Sequence, residues 1–169
     1  MISRRTAIFG LAATATSLFA LRASGSTEKT FEITKTPEEW REVLTDEQYY
    51  ILREEGTERP FTSPLNDEKR PGLYHCAGCD LALYSSEHKF DSGTGWPSFW
   101  QPLENAVETS EDRTLYFIVR TEVHCRRCGG HQGHVFDDGP APTGKRHCIN
   151  GDALIFRPGT PGETVKNTL

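Results

Sequence analysis

Apolar and polar residues alternate most regularly in RTLYFIVRTEVH, residues 113–124. Leu115, Phe117, Val119 and Val123 fall on one side of this run, and Arg120, Glu122 and His124 on the other. A period of two marks a half-buried strand, so the run predicts one antiparallel strand. Shorter β-prone runs recur beyond Gly72: LALY, GHVF, RHCI and ALIF. Upstream the pattern changes. Thr36-Pro37-Glu38-Glu39 puts a hydroxyl at a helix N-cap, proline at the first helical position and an acid at the third, and Thr45-Asp46-Glu47-Gln48 repeats the signal. With Gly56 as a stop, two helices are predicted over 37–44 and 46–55. Residues 59–72 are rich in proline, charge and turn formers and read as loop. The fold class is therefore mainly β, an antiparallel domain preceded by a short helical arm.

A chain of 169 residues with 36% hydrophobic and 25% charged residues suits one soluble globular domain with a sizeable core. Its first residues are of another kind. Arg4-Arg5 leads into an uncharged apolar run that ends at Arg22 among small residues, too short and too rich in small side chains for a membrane span. The paired arginines resemble a twin-arginine export signal, over residues 1–25, used for chains that fold before export. An ordinary secretory signal and an uncleaved anchor are the alternatives. The expected organisation is this signal, a linker over 26–35, a catalytic domain over 36–160 and a tail over 161–169, and the expected location is the bacterial periplasm. Arg4, Arg5 and Arg22 are the only charges of the leader, so removing three positive charges from a net charge of −5 leaves about −8. That argues against a nucleic-acid partner. The single methionine is Met1, which would be lost with the signal.

Four of the five cysteines form two matching knuckles, Cys76-Ala-Gly-Cys79 and Cys125-Arg-Arg-Cys128. Each lets two thiolates converge from a tight turn, and four thiolates make a closed structural zinc site. Two disulfides, or a redox-active pair, are the competing readings for an exported protein. Zinc is favoured, because a chain that folds in a reducing compartment can be loaded there and its thiolates protected afterwards.

Cys148 remains. A lone cysteine is usually a small buried hydrophobe. Here Arg146 and His147 would place positive charge beside it and Asn150 offers an amide, surroundings that favour the thiolate. Upstream, HQGHVFDDG carries His131 and His134, each more often structural than catalytic. Residues three apart on a strand face opposite ways, so these two converge only if the backbone turns, which Gly133 permits. In DSGTGWPSFW, tryptophan on a Gly/Pro loop can form an apolar wall for a methyl-bearing ligand.

YHCAGC, SGTGWPSF, the second knuckle, GHVFDDGPAPTGKRHCIN and ALIF occur in the order seen in the type B methionine sulfoxide reductases, which the chain resembles over residues 36–158. The resemblance implies two antiparallel sheets around a four-cysteine zinc site, and reduction of the R epimer of methionine sulfoxide in proteins or peptides by way of a cysteine sulfenic acid. Position by position it implies Cys148 as nucleophile and His134 as proton donor. His131 and Asn150 would orient substrate or water, and Trp96 and Phe136 would contact substrate. Cys76, Cys79, Cys125 and Cys128 would hold the metal. Many relatives carry a resolving cysteine where this chain has Thr94. An external thiol, thioredoxin-like or dithiothreitol, would then reduce the sulfenic acid directly. Two other functions fit the residues less well: a secreted zinc-stabilised binding module, for which Cys148 would be dispensable, and a thiol peroxidase, which needs no tryptophan wall.

Overall fold

The computed structural model describes residues 30–115 and 118–160. The expected signal, the tail and residues 26–29 of the linker lie outside them. Both helices form where their capping boxes place them. In α1, Pro37–Val43, the Thr36 N–H donates to Glu39 Oε2 at 2.8 Å and the Glu39 N–H to Thr36 Oγ1 at 3.2 Å. In α2, Asp46–Glu54, Thr45 and Gln48 exchange the same pair of bonds. The left-handed residue at the end of α2 is Glu55 (φ 55°), not Gly56. Gly56 lies against the Tyr50 ring: a Cβ on it would stand 2.3 Å from that ring, which would have to swing aside.

Among the described residues nine strands follow in chain order. They are β1 Gly72–Cys76, β2 Ala82–Ser85, β3 Lys89–Phe90, β4 Ser98–Phe99, β5 Val107–Leu115, β6 Ile118–Cys125, β7 His131–Phe136, β8 Arg146–Ile149 and β9 Leu154–Pro158. All pair antiparallel, in a three-stranded sheet of order β2-β1-β9 and a six-stranded sheet of order β3-β4-β8-β7-β6-β5. The two sheets meet through aromatic rings. Tyr84 stacks on Phe99 at 4.4 Å between centroids, and Tyr74 meets Phe99 edge-on at 4.9 Å.

The single strand expected over 113–124 is a hairpin instead. Its first residues end β5 and its remainder forms β6, with Leu115 opposite Ile118. The run LYFIV contains no glycine, proline or asparagine to announce a turn, so its period alone could not show the reversal. Its alternation holds near the base of β6, where Val123 is fully buried and Glu122 and His124 face the other way. Towards the tip Val119 is 57% exposed. The helical arm is part of the core: Trp40, Ile51 and Leu52 are buried within it, and Arg53 donates to the Cys128 carbonyl at 3.1 Å. Among the described residues no helix is long and apolar enough to cross a membrane.

Candidate active site and metal centre

The two knuckles share one backbone design. In the first, the Asp80 N–H donates to the Cys76 carbonyl at 2.8 Å and Asp80 is left-handed (φ 61°). In the second, the Gly129 N–H donates to the Cys125 carbonyl at 2.9 Å and Gly129 is left-handed (φ 68°). Each turn aims two sulfurs the same way. Cys76 Sγ lies 3.7 Å from Cys128 Sγ, and Cys79 Sγ lies 3.5 Å from Cys125 Sγ. All four sulfurs fall within 4.8 Å of one another. A tetrahedron with metal–sulfur bonds of about 2.3 Å has edges of about 3.8 Å, so the cluster has the dimensions of a zinc site. The spacing is far beyond an S–S bond of about 2.05 Å, and no cysteine is disulfide-bonded. The Cys76 thiol is pushed well up, first by its sulfur neighbours and then by burial. Four crowded sulfurs cannot all ionise without a cation, and this set fits one. The cluster joins the sheets: Cys76 ends β1 of the small sheet, and Cys125 ends β6 of the large one.

Cys148 sits on β8 between β4 and β7, directly opposite Ser98 on one side and His134 on the other. The row continues from His134 to Glu122 on β6 and to Ser110 on β5. Directly opposed residues share a face of a sheet, so Ser98, Cys148, His134, Glu122 and Ser110 form one polar line across it. His131 joins this face because the β6–β7 register shifts beside Gly133, and its ring centroid lies 5.3 Å from that of His134. Gly133 has φ 153°, and a Cβ there would stand 2.1 Å from the Cys148 carbonyl oxygen. Glycine at this position is what lets β7 lie so close to the strand of Cys148.

A cleft of about 130 Å³ opens over this face, lined by Thr57, Trp96, Arg120, His134, Phe136, Cys148 and Asn150 with Gly133. The structure thus gathers Cys148, His134, Asn150, Trp96 and Phe136. His131 lies beneath His134 rather than on the wall, buried, with its Nδ1 2.8 Å from Glu122 Oε1. Glu122 is held far below the usual carboxylate range, by His124 first and then His131. His134 Nε2 contacts Asp112 Oδ2 at 2.8 Å, and Arg120 bonds the same oxygen at 2.6 Å. Burial nevertheless pushes the His134 imidazole below its ordinary value, with Asp112 opposing.

The expected charge around Cys148 is only partly present. His147 alternates to the opposite face, contacts the Tyr84 hydroxyl at 3.3 Å, and is lowered to about 4 by burial, so it carries no charge at neutral pH. Arg146 already donates two bonds of 2.9 Å to Asp138 and lies over the Phe136 ring. The Asn150 amide is engaged at both ends, accepting from the Glu58 N–H and donating to the Gln132 carbonyl. Burial is the largest influence on Cys148 and raises its thiol, with Arg146 and Thr94 pulling it back.

Sequence reasoning missed Glu58. Its carboxylate accepts the backbone N–H groups of Gly151 and Asp152, and its carbonyl accepts the Trp96 indole N–H at 3.2 Å. One buried residue thereby fixes both Trp96 and the segment that follows Cys148. It stands immediately before the stretch read as loop, and nothing local signals its distant partners. Asp112 was equally silent. Arg120, by contrast, lay on the polar side of the alternating run.

The family model described as the SelR domain matches residues 44–158. This chain belongs to the type B peptide methionine sulfoxide reductase family. The peptide methionine sulfoxide reductase MsrB of Agrobacterium fabrum is 52% identical over 127 residues, 75% of this chain and 94% of its own. That of Methanosarcina barkeri is 54% identical over 125 residues, 74% and 88% of the two chains. The chloroplastic reductase B1 of Oryza sativa is 55% identical over 122 residues, 72% of this chain and 57% of its longer one. As a member of the reductase B family the chain is an oxidoreductase, with a mainly β fold of two antiparallel sheets and a zinc-compatible cysteine cluster.

Proposed function

We propose that this chain reduces the R epimer of methionine sulfoxide in peptides or proteins, with Cys148 as nucleophile and an external thiol as the source of electrons. The observation that carries the proposal is the opposition of Cys148 and His134 across one rung of the sheet, in a cleft walled by Trp96 and Phe136. The Cys148 thiolate attacks the sulfoxide sulfur, forming an S–S bond as His134 protonates the oxygen. The resulting hydroxyl then passes to the Cys148 sulfur as both the S–O bond of the substrate and the new S–S bond break. Methionine leaves, and the oxygen remains on Cys148 as a sulfenic acid. Two external thiols then restore the thiol, forming one disulfide and one water. Thr94 occupies the position of a resolving cysteine, and the other four cysteines gather in the metal cluster. This supports direct reduction by the external thiol. His131 and Asn150 serve as positioning residues, and Trp96 and Phe136 hold the substrate's methyl-bearing end.

Bound at the four cysteines, zinc would be structural, since a closed set of four thiolates leaves no position for water. Export by a twin-arginine route to the periplasm is part of the same reading, supported by Arg4-Arg5 and the apolar run behind it. N-terminal sequencing of the protein recovered from the periplasm checks it.

Incubating the purified chain with resolved R and S sulfoxides and dithiothreitol is expected to release methionine from the R epimer only, and Cys148→Ser is expected to abolish the release. Turnover by Cys148→Ser at the parent rate would exclude the mechanism.

A further inference from the structure

Three hydroxyls lead away from Cys148. Thr94 Oγ1 lies 3.9 Å from Cys148 Sγ, and Ser92 Oγ lies 2.8 Å from Thr94 Oγ1. Ser98 Oγ lies 2.7 Å from Ser92 Oγ, and the Ser98 hydroxyl reaches the Trp96 carbonyl at 3.1 Å. The loop that carries them is pinned. Asp91 accepts the Gly93 N–H at 2.9 Å, and Ser98 is buried on β4 opposite Cys148 itself.

A hydroxyl has one proton to give and lone pairs to receive. When Cys148 is a thiol, every donor can point one way: thiol to Thr94, Thr94 to Ser92, Ser92 to Ser98, and Ser98 to the Trp96 carbonyl. When it is a thiolate the sulfur only accepts, and the same atoms satisfy it by turning round: Ser98 to Ser92, Ser92 to Thr94, and Thr94 to sulfur. No heavy atom has to move between the two arrangements. The chain ends on a carbonyl that cannot carry a proton away, so the thiol proton leaves through the cleft to water.

We propose that Thr94, Ser92 and Ser98 form a reversible hydroxyl relay that stabilises the Cys148 thiolate, with Thr94 touching the sulfur and Ser92 acting through Thr94 as a positioning residue. The relay deepens the proposed function and rests on Cys148 being its nucleophile. It gives the loop position of Thr94 a use other than disulfide formation: the hydroxyl offsets part of the burial that disfavours the ionised sulfur. Arg146 and Asp138, His134 on β7 and Arg120 on β6 also bear on the thiol or line its cleft. None of them is altered by changes at residues 92 and 94.

The test is the pH dependence of iodoacetamide alkylation at Cys148 in the zinc-loaded chain, with the labelled site read by mass spectrometry. Thr94→Val is expected to raise the midpoint by about one pH unit, which slows alkylation at neutral pH about tenfold. Ser92→Ala, which removes no atom in contact with sulfur, should shift it the same way by a smaller amount, about threefold in rate. Thr94→Ser is expected to restore the parent midpoint, and all four proteins should coincide in urea. An unmoved midpoint in folded Thr94→Val, or in Ser92→Ala, overturns the relay. Sulfoxide reduction assayed in parallel separates the two ideas. Shifted midpoints in a chain that reduces no sulfoxide would sink the proposed function alone, and unmoved midpoints in an active reductase would sink the relay alone.

Discussion

Burial drives the two proton-bearing groups of the cleft apart. It raises the Cys148 thiol above its ordinary 9.0 and lowers the His134 imidazole below its ordinary 6.5. The proposed step needs the thiolate and the imidazolium together. Between the two titrations, each rise of one pH unit multiplies the thiolate tenfold and divides the imidazolium tenfold, so the competent fraction stays level. kcat/KM for the R sulfoxide is therefore expected to be flat across neutral pH. It should fall only on the acid side of the His134 titration, which burial moves below the ordinary imidazole value, and on the alkaline side of the Cys148 titration, which burial moves above the ordinary thiol value. His134→Ala should lose about 10²–10⁴ in rate and, with it, the flat region. A parent profile that climbs tenfold per unit through neutrality would show that no acid takes part. At this scale the sequence exposed the residues whose chemistry is intrinsic, Cys148, His134 and Trp96. It misjudged His147, because the alternation of β8 turns that ring towards Tyr84, and it left Glu58 unseen, because the backbone N–H groups its carboxylate holds lie 93 and 94 positions away.

At the scale of single elements, the close passage of β7 over β8 is the most demanding feature. Gly133→Ala would press a Cβ to 2.1 Å from the Cys148 carbonyl oxygen in a conformation that L side chains rarely adopt. A loss of about 3 kcal/mol or more is expected in urea denaturation. Gly93→Ala provides the contrast: Gly93 also has a positive φ of 69°, but open space surrounds it. Its cost should be only about 1–2 kcal/mol. Equal costs at the two sites would mean that backbone strain, and not the closeness of the strands, sets the requirement. The same distinction between local and distant causes explains which elements were legible. Both capping boxes are complete within four residues, so the helices could be read directly. The two-residue strands β3 and β4 exist only through pairing with remote partners, and the hairpin of β5 and β6 reverses within an apolar stretch that carries no turn residue.

For the molecule as a whole, the cysteine cluster binds one sheet to the other. Removing zinc with a strong chelator, or breaking the set with Cys128→Ser, is expected to lower the thermal midpoint by about 10 °C or more, followed by circular dichroism. An unchanged midpoint in protein shown to be metal-free would leave the four sulfurs without a structural role. Two sheets around a four-cysteine cluster and a short helical arm ahead of them were foreseen from motif spacing and resemblance; the packing of that arm into the core through Trp40 and Leu52 was not, because short capped helices do not declare their partner. The pairing of β1 with β9 carries a kinetic consequence. Gly72 lies opposite Pro158, so the middle strand of the small sheet waits for β9, the last of the described strands. Such remote closure slows folding. A ribosome would have to release β9 before that sheet could close, so the small sheet is completed only after every other described strand has been synthesised.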